Sequence, residues 1–164
     1  MTTPLLQGFP PVVDDAARLL ILGSFPSVQS LAARQYYANP RNAFWPMMAG
    51  LFGFDEGLAY ESRLAALQSH GIALWDVVNK CRRAGSADAR IAQKGLVVND
   101  FNWLFDRYRG ITTVCFNGQR AATLFRRLAP VDRPMTCHLL PSSSPARAMR
   151  AGDKLAAWRV IVQS

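Results

Sequence analysis

The sequence lacks several features that would assign it to a common class of protein. No uninterrupted apolar run approaches the roughly 20 residues that span a bilayer, although half of the residues are hydrophobic. The N-terminus shows no basic region followed by an apolar stretch, as a secretory signal would. Repeats, low-complexity segments and linkers are also missing. We therefore expect a soluble, cytoplasmic protein in which residues 1–164 form one domain around one core.

Cysteine and histidine are too few and too scattered for a metal site. Cys81, Cys115 and Cys137 are odd in number, form no C-x-x-C pair and have no histidine at ligand spacing. We expect three buried free thiols, no metal and no cofactor.

Acidic residues are also few: eleven acidic residues stand against nineteen basic residues, which gives a formal net charge of +8. This excess favours polyanionic partners, although many basic proteins bind no nucleic acid.

The apolar residues that are present form short strands alternating with helices. Four segments predict strands: "ARLLILGSF", "GIALWDVV", "ITTVCFNG" and "TCHLLPSSSP". Helices are predicted for "PSVQSLAARQYY" with Ser27 as cap, "NAFWPMMAGLFGF", "YESRLAALQSH", "DFNWLFDRY" with Asn99 as cap, "QRAATLFRRL", and "KLAAWRVIV" with Asp153 as cap. This alternation predicts an α/β fold, a parallel sheet with helices on both faces.

Unusual residues follow each predicted strand. Ligands of open parallel sheets bind outside the carboxyl ends of the strands, so four separate segments would converge on one edge. They are residues 23–27, Trp75 with Asp76, residues 117–119 and residues 141–147.

Each of these segments also has a purely structural interpretation. Gly23 and Pro26 could form only a tight turn. The serine run before Arg147 could be a solvated loop, or it could hold phosphate oxygens with hydroxyls, backbone N–H groups and the guanidinium. Asp76 is either a cap or a carboxylate that faces the cleft.

The stretch "YYANPRNAFW", residues 36–45, combines aromatic rings with amide side chains. Its last two aromatics begin a helical pattern and belong in the core. We expect one of Tyr36 and Tyr37 to face the sheet and the other to stack on something planar. Arg41 can reach a phosphate or simply solvent. Asn42 caps the following helix, positions a water, or does both.

Four segments together carry a family resemblance. "LILGSFPSVQSLAARQYYANPRNAFWPMM", "ALWDVV", "FNGQRA" and "LLPSSSPARA" resemble the hypoxanthine-DNA glycosylase group of the uracil-DNA glycosylase superfamily, in order from about residue 18 to residue 162. The resemblance implies three layers, α/β/α, around a four-stranded parallel sheet. It also implies an enzyme that flips a deaminated base, hypoxanthine or uracil, out of duplex DNA and hydrolyses the bond between base and sugar.

The resemblance further implies two groups of site residues. Those at the extruded base are Gly23, Ser24, Phe25, Tyr37, Trp75 and Asp76, with Tyr37 stacking on the base. Those at the DNA are Pro26, Ser27, Arg41, Ser142, Ser143, Ser144, Pro145 and Arg147, the last five in a loop that presses into the duplex. Asp88 is a secondary candidate, and His138 is expected to be a core residue.

One position departs from the pattern of the wider superfamily. Many members carry Asp or Asn two residues after the first glycine to orient the attacking water, and Phe25 stands there instead. The hypoxanthine group shares this lack and keeps an asparagine that maps to Asn42. Asn42 is therefore our candidate catalytic residue.

The remaining expectations concern partners and rival functions. No lysine stands in the motifs, although Lys80 and Lys94 lie near the second strand, so we expect base release without strand cleavage. We expect the protein to be a monomer associated with the nucleoid and its partner to be duplex DNA that contains a damaged base. A serine hydrolase is disfavoured because Ser24 directly follows Gly23, unlike the G-x-S-x-G elbow. A noncatalytic nucleic-acid-binding or nucleotide-binding module is the alternative.

Overall fold

A parallel sheet of four strands forms the centre of the computed structural model, which describes residues 3–163. The strands are β1 (Leu5–Gln7), β2 (Leu19–Gly23), β3 (Ile72–Asp76), β4 (Val78–Arg82), β5 (Val97–Val98), β6 (Thr113–Asn117) and β7 (Thr136–Leu140). The central sheet has the order β3-β2-β6-β7, and every neighbouring pair in it is parallel. The predicted α/β fold is confirmed.

Seven α-helices in the described part of the chain, residues 3–163, connect and cover the strands. They are α1 (Val28–Ala33), α2 (Phe44–Phe52), α3 (Tyr60–Ser69), α4 (Phe101–Arg107), α5 (Gln119–Leu128), α6 (Ala151–Trp158) and α7 (Val160–Gln163). Within residues 3–163, no helix has the length and apolar character needed to cross a membrane.

The helix caps correct two predictions. Ser27 caps α1 as expected, because its hydroxyl accepts from the Ser30 N–H at 3.1 Å. Asn99 does not cap α4: Asp100 does, by accepting from the Trp103 N–H at 3.0 Å. Asp153 does not cap α6 either, since it lies within the first turn of that helix.

The core has two halves, one on each face of the sheet. Alternation along β2 sends Leu20 and Leu22 to the face covered by α4 and α5, and Leu19 and Ile21 to the other face. Phe44 and Trp45, both buried, pack on the second face with α3 and α6, as the helical pattern predicted.

Strand β7 lies at the edge of the sheet and is more exposed than expected. Cys81 and Cys115 are buried free thiols, but Cys137 is exposed. The prediction of three buried thiols is therefore wrong for Cys137, because β7 pairs with β6 alone. His138 lies in β7 but is partly exposed, so the expectation of a core histidine is also wrong.

A small antiparallel sheet, β1-β4-β5, was not predicted. In the segment "GIALWDVV", β3 ends at Asp76 and β4 begins at Val78. The Val77 and Val78 N–H groups donate to the carbonyls of Gly23 and Ser24 at 2.9 and 3.1 Å, so the chain turns across the end of β2. Strands β1 and β5 have only three and two residues, too few to show a period, and only one residue separates β4 from β3, so one apolar run covers parts of both. The crossing carries the chain past the carboxyl end of β2, where the candidate site lies.

Candidate active site

The carboxyl ends of the four central strands meet at one edge, as predicted. Gly23 at the end of β2 is in register with Asp76 at the end of β3. Asn117 at the end of β6 is in register with Leu140 at the end of β7. The loops that follow these strands therefore face a common space, the usual ligand position of such sheets.

Gly23 permits two polar side chains to approach the end of β2. A Cβ at this position would lie 2.5 Å from Asp76 Oδ1 and 3.2 Å from the Tyr37 hydroxyl oxygen. Real Cβ atoms do not approach an oxygen as closely as 2.5 Å. The absence of a side chain is thus what brings the carboxyl of Asp76 and the phenol of Tyr37 together.

Asp76 is a buried acid that forms no ion pair with the described residues. Its side chain is 5% exposed, and Oδ2 has no hydrogen-bond partner among the described residues. Burial, and to a lesser extent charge repulsion from Asp88, raise the pKa of Asp76 to about 7, although Arg83 acts in the opposite direction. A neutral carboxyl is therefore well populated near neutral pH.

The two tyrosines differ as expected. Tyr36 is buried, and its hydroxyl donates to the Pro10 carbonyl at 3.0 Å. Tyr37 is partly exposed and adopts a left-handed backbone with φ of 57°. Its ring stacks on Phe44 with centroids 3.9 Å apart, and burial of its hydroxyl raises its pKa. Tyr37 thus presents a fixed aromatic surface beside Gly23.

Asn42 has a structural role that the geometry shows directly. Its Oδ1 accepts from the Phe44 N–H at 3.0 Å, at the start of α2. Its Nδ2 has no hydrogen-bond partner among the described residues, and the side chain is partly exposed. The next residue, Ala43, donates its N–H to the Ser143 carbonyl at 2.9 Å. The loop that carries Asn42 is therefore held against the loop that follows β7.

The serine loop, residues 141–147, is anchored to β6 through Asn117. The Asn117 amide donates to the Ser143 hydroxyl at 2.9 Å and accepts from the Ser143 N–H at 2.8 Å. Ser143 is only 1% exposed, while Arg147 extends from the loop into solvent. Lys154 on α6 donates to the Ser144 carbonyl at 3.1 Å. A rigid base therefore supports an exposed tip.

The segment after β4 closes the other side of the site. Arg83 is buried and donates to the Pro26 carbonyl at 2.6 Å, and its guanidinium lies 5.2 Å from the centre of the Phe25 ring. Burial raises the pKa of Asp88, and the nearby Ser24 side chain acts in the opposite direction. These contacts fix the turn after β2 and bring a second carboxyl near Asp76.

A groove of about 540 Å³ opens beside this edge. Its lining includes Asp88 and, from the first turn of α5, Gln119 and Arg120. Among residues 3–163, no cluster of three or more His, Cys, Asp or Glu side chains is placed to hold a metal ion. The site offers an aromatic face, two carboxyls and amide groups.

Comparison with known proteins identifies the family. The family model for the uracil DNA glycosylase superfamily matches residues 10–162. The chain belongs to the uracil-DNA glycosylase superfamily. It is 35% identical over 158 residues to a hypoxanthine DNA glycosylase of Methanosarcina acetivorans, covering 94% of this chain and 96% of the relative. A hypoxanthine DNA glycosylase of Methanosarcina barkeri is 36% identical over 155 residues, which are 93% of this chain and 94% of the relative.

A solved structure agrees with the fold of this glycosylase. The solution NMR structure of a Methanosarcina acetivorans protein assigned to the uracil DNA glycosylases superposes with a TM-score of 0.77 at 34% identity. The match covers 96% of this chain and 99% of that one. The expected family, the three-layer architecture and the enzyme class are thereby confirmed.

The structure brings most of the predicted base-binding residues of the glycosylase together. Gly23, Ser24, Tyr37 and Asp76 meet at the sheet edge. Trp75 does not join them, because its indole N–H donates to the Phe9 carbonyl at 3.0 Å and its ring packs on the core residue Phe101.

The predicted DNA-binding residues of the glycosylase divide by exposure. Arg41, Pro145 and Arg147 are exposed, and Ser142 and Ser144 are partly exposed. Three others have structural contacts: the Pro26 carbonyl accepts from Arg83, the Ser27 hydroxyl caps α1, and the Ser143 hydroxyl bonds to Asn117.

Sequence reasoning missed or undervalued four polar residues of the glycosylase. They are Arg83, Asp88, Asn117 and Lys154, which hold the two loops around the site. Asn117 carried a usable signal, since it directly follows a buried strand at the edge where ligands bind. Asp88 was a secondary candidate from the family resemblance. Arg83 and Lys154 had no signal, because the contacts that define them join segments separated in the chain.

Proposed function

We propose that this glycosylase excises hypoxanthine from deoxyinosine in duplex DNA and leaves an abasic site. The observation that most supports this is that the Tyr37 side chain and the Asp76 carboxyl both lie beside Gly23. Together they provide an aromatic surface on which a flat base can stack and a carboxyl that can form a hydrogen bond with it. Both Methanosarcina relatives are named for hypoxanthine. Uracil is a second candidate base. The enzyme acts as a monomer in the cytoplasm, where it meets the nucleoid.

Asn42 is the proposed catalytic residue, and its free amide nitrogen supports that role. Because the amide oxygen is engaged with Phe44, Nδ2 remains available to hold a water. An amide is a poor general base, but the sugar becomes cation-like as the bond breaks, so a weak nucleophile suffices. Positioning the water then contributes much of the rate. Fixed N–H dipoles that stabilise the departing base contribute about 3 kcal/mol for each donor.

The serine loop is the proposed contact to the DNA backbone. Its tip, with Pro145 and Arg147, is exposed, and its base is held by Asn117 and Lys154. A rigid loop of this kind can enter the space that a flipped nucleotide vacates, while the guanidinium pairs with a phosphate. The net charge of +8 favours the same partner.

Incubation with defined duplexes tests the function. Oligonucleotides that contain deoxyinosine, deoxyuridine or deoxyxanthosine are incubated with the enzyme, and released bases are measured by chromatography. We expect hypoxanthine release, with strand breaks that appear only after alkali, because no lysine stands in the motifs to form a Schiff base. Binding of these duplexes with no released base would instead indicate a noncatalytic module.

Arg147→Ala is expected to weaken DNA binding mainly at low salt. Loss of one phosphate contact should reduce the slope of log K against log salt by about 0.9. The measurement is a titration of a labelled abasic duplex at several salt concentrations. Arg109→Ala is the control, because Arg109 lies just before β6, at the amino ends of the parallel strands, whereas the proposed DNA contact lies at their carboxyl ends. Equal slopes for the wild type and Arg147→Ala would exclude the phosphate contact.

Gly23→Ala is expected to lower hypoxanthine excision by about tenfold or more, the order expected when a positioned catalytic group is displaced. The added methyl would lie 2.5 Å from Asp76 Oδ1 and must push the carboxyl away. Single-turnover kinetics measure the loss. Gly152→Ala on α6 is the control, since a Cβ there meets no atom within 4 Å. Unchanged excision by Gly23→Ala would show that the close approach of Asp76 is dispensable.

A further inference from the structure

The carboxyl of Asp76 has an unused hydrogen-bonding atom inside the proposed base site. Oδ2 is buried and has no partner among the described residues. The ion pairs found in residues 3–163 are Arg107 with Asp15 and Arg109 with Asp106, so no cation lies within ion-pair distance of Asp76. A buried carboxylate without such partners is costly, and the neutral acid avoids that cost.

The groups that face Asp76 favour the same protonation state. Asp88, which lies near Ser24, repels the ionised form, and Arg83, just after β4, only partly offsets that repulsion. Tyr36 and Tyr37 contribute neutral hydroxyls, since the pKa of each is raised by burial and by Asp76 itself. The surroundings therefore favour the protonated form of Asp76, beside the ring proposed to stack on the base.

A neutral carboxyl is a hydrogen-bond donor, and hypoxanthine presents acceptors to it. Its N7 and O6 lie on one edge, as they do in guanine. Uracil has no N7. When a purine leaves deoxyribose, the electron pair of the bond to the sugar flows into the five-membered ring, and a proton on N7 neutralises it. A donor at this edge therefore assists the departure of a purine more than that of a pyrimidine.

We propose that Asp76 is the general acid of the reaction and transfers its carboxyl proton to N7 of hypoxanthine as the bond between C1′ and N9 breaks. The electron pair of that bond passes to the base, which leaves as neutral hypoxanthine. A water oxygen bonds to C1′ and releases a proton to solvent. The Asp76 carboxylate then takes up a proton from solvent, which completes the cycle. This inference rests on the proposed function.

The first test is the pH dependence of single-turnover excision of deoxyinosine. We expect the wild-type rate to fall with rising pH above about 7, where Asp76 loses its proton. Asp76→Asn should be about 10²-fold slower at pH 6, the order that general acids contribute, and should lack this decline. Asp88→Asn removes a charge that raises the pKa of Asp76, so its decline should begin at lower pH. A decline that persists unchanged in Asp76→Asn would overturn the proposal.

The second test asks whether N7 is the acceptor. Two duplexes are compared. One contains 2′-fluoro-2′-deoxyinosine, in which the fluorine makes the bond between base and sugar resistant to cleavage. The other contains the 7-deaza analogue of the same nucleotide, which lacks N7. At pH 6 the wild type should bind the analogue with N7 at least tenfold more tightly. That preference should disappear at pH 9, where Asp76 is ionised and can only accept hydrogen bonds, whereas the Asp76→Asn amide can still donate to N7 and should keep the same preference at both pH values. Equal affinities of the wild type for both duplexes at pH 6 would overturn the transfer to N7.

A third measurement reports the proton without any substrate. The pKa of Asp76 is about 7 in the folded protein against 3.8 for the free side chain. The folded state therefore binds more protons between these values, and the free energy of unfolding should fall as pH rises from about 4 to about 7. Asp76→Asn should show a smaller fall over this window. Identical pH dependence in both proteins would show that Asp76 is ionised in the folded state.

These outcomes are distinct from failure of the proposed function. A wild type that releases no hypoxanthine at any pH contradicts the function itself. A wild type that releases hypoxanthine with a flat profile contradicts only the role of Asp76. Thermal unfolding of Asp76→Asn and Asp88→Asn verifies that both near-isosteric variants remain folded.

Discussion

Asn42→Ala is expected to reduce the single-turnover rate of hypoxanthine excision by 10²-fold or more, on the order of what a positioned catalytic group contributes. The physical reason is loss of the amide nitrogen that we propose holds the attacking water. Affinity for a duplex with an abasic site should remain nearly unchanged, because the sugar–phosphate contacts come from other loops. Rapid-quench kinetics and a binding titration measure the two quantities separately.

Asn42→Ser is the matched control for the structural role of this residue. The serine hydroxyl can replace Oδ1 as acceptor for the Phe44 N–H at the start of α2. Asn42 is not the N-cap of α2, which is Ala43. Asn42→Ala should lose about 1 kcal/mol of stability, the usual contribution of one hydrogen bond, whereas Asn42→Ser should stay close to the wild type. Both should lose the catalytic rate. Near-normal excision by Asn42→Ser would reveal that Asn42 acts only through its hydrogen bond to Phe44.

Asn117→Ala is expected to lower the free energy of unfolding by about 2–6 kcal/mol. It leaves the buried N–H and hydroxyl of Ser143 without their partners, and each such group costs about 1–3 kcal/mol. The serine loop should also loosen, so affinity for duplex DNA should fall. Chemical denaturation measures the stability, and titration of a labelled duplex measures the binding.

Asn102→Ala serves as the control for Asn117→Ala. The Asn102 side chain also accepts from a backbone N–H, that of Asp132, but the bond is exposed and far from the serine loop. We expect a stability loss below about 1 kcal/mol and unchanged DNA affinity. If Asn117→Ala behaved like this control, the anchor between β6 and the serine loop would have no energetic importance.

Parts of the fold were predictable because they depend on local pattern. The run around Leu20 and Ile21 is apolar throughout, as a strand covered on both faces requires. Ser27 lies immediately before a helical pattern and caps it. Failures followed where a neighbour in the chain competes for the same role, as Asp100 does with Asn99. The exposure of Cys137 was missed because composition does not reveal which strand forms an edge.

The position of the candidate site was predicted, but the contacts that hold its loops in place were not. Gly23, Tyr37 and Asp76 could be placed together from the positions of the strand ends and the resemblance, whereas the anchoring of Ser143 by Asn117 could not. The amide of Asn42 illustrates the limit, since only the tertiary structure shows which of its atoms is engaged with the backbone.

By itself, the sequence determined an α/β domain with four parallel strands, an excess of basic residues and a set of polar residues at the strand ends. Those properties follow from hydrophobic periodicity and charge, which each segment carries alone. Only the tertiary structure decided that Asp76 is buried near Asp88 and Tyr37, which raises its pKa to about 7. That outcome depends on the chain crossing the end of β2, since a pKa is set by the groups that folding gathers from distant segments.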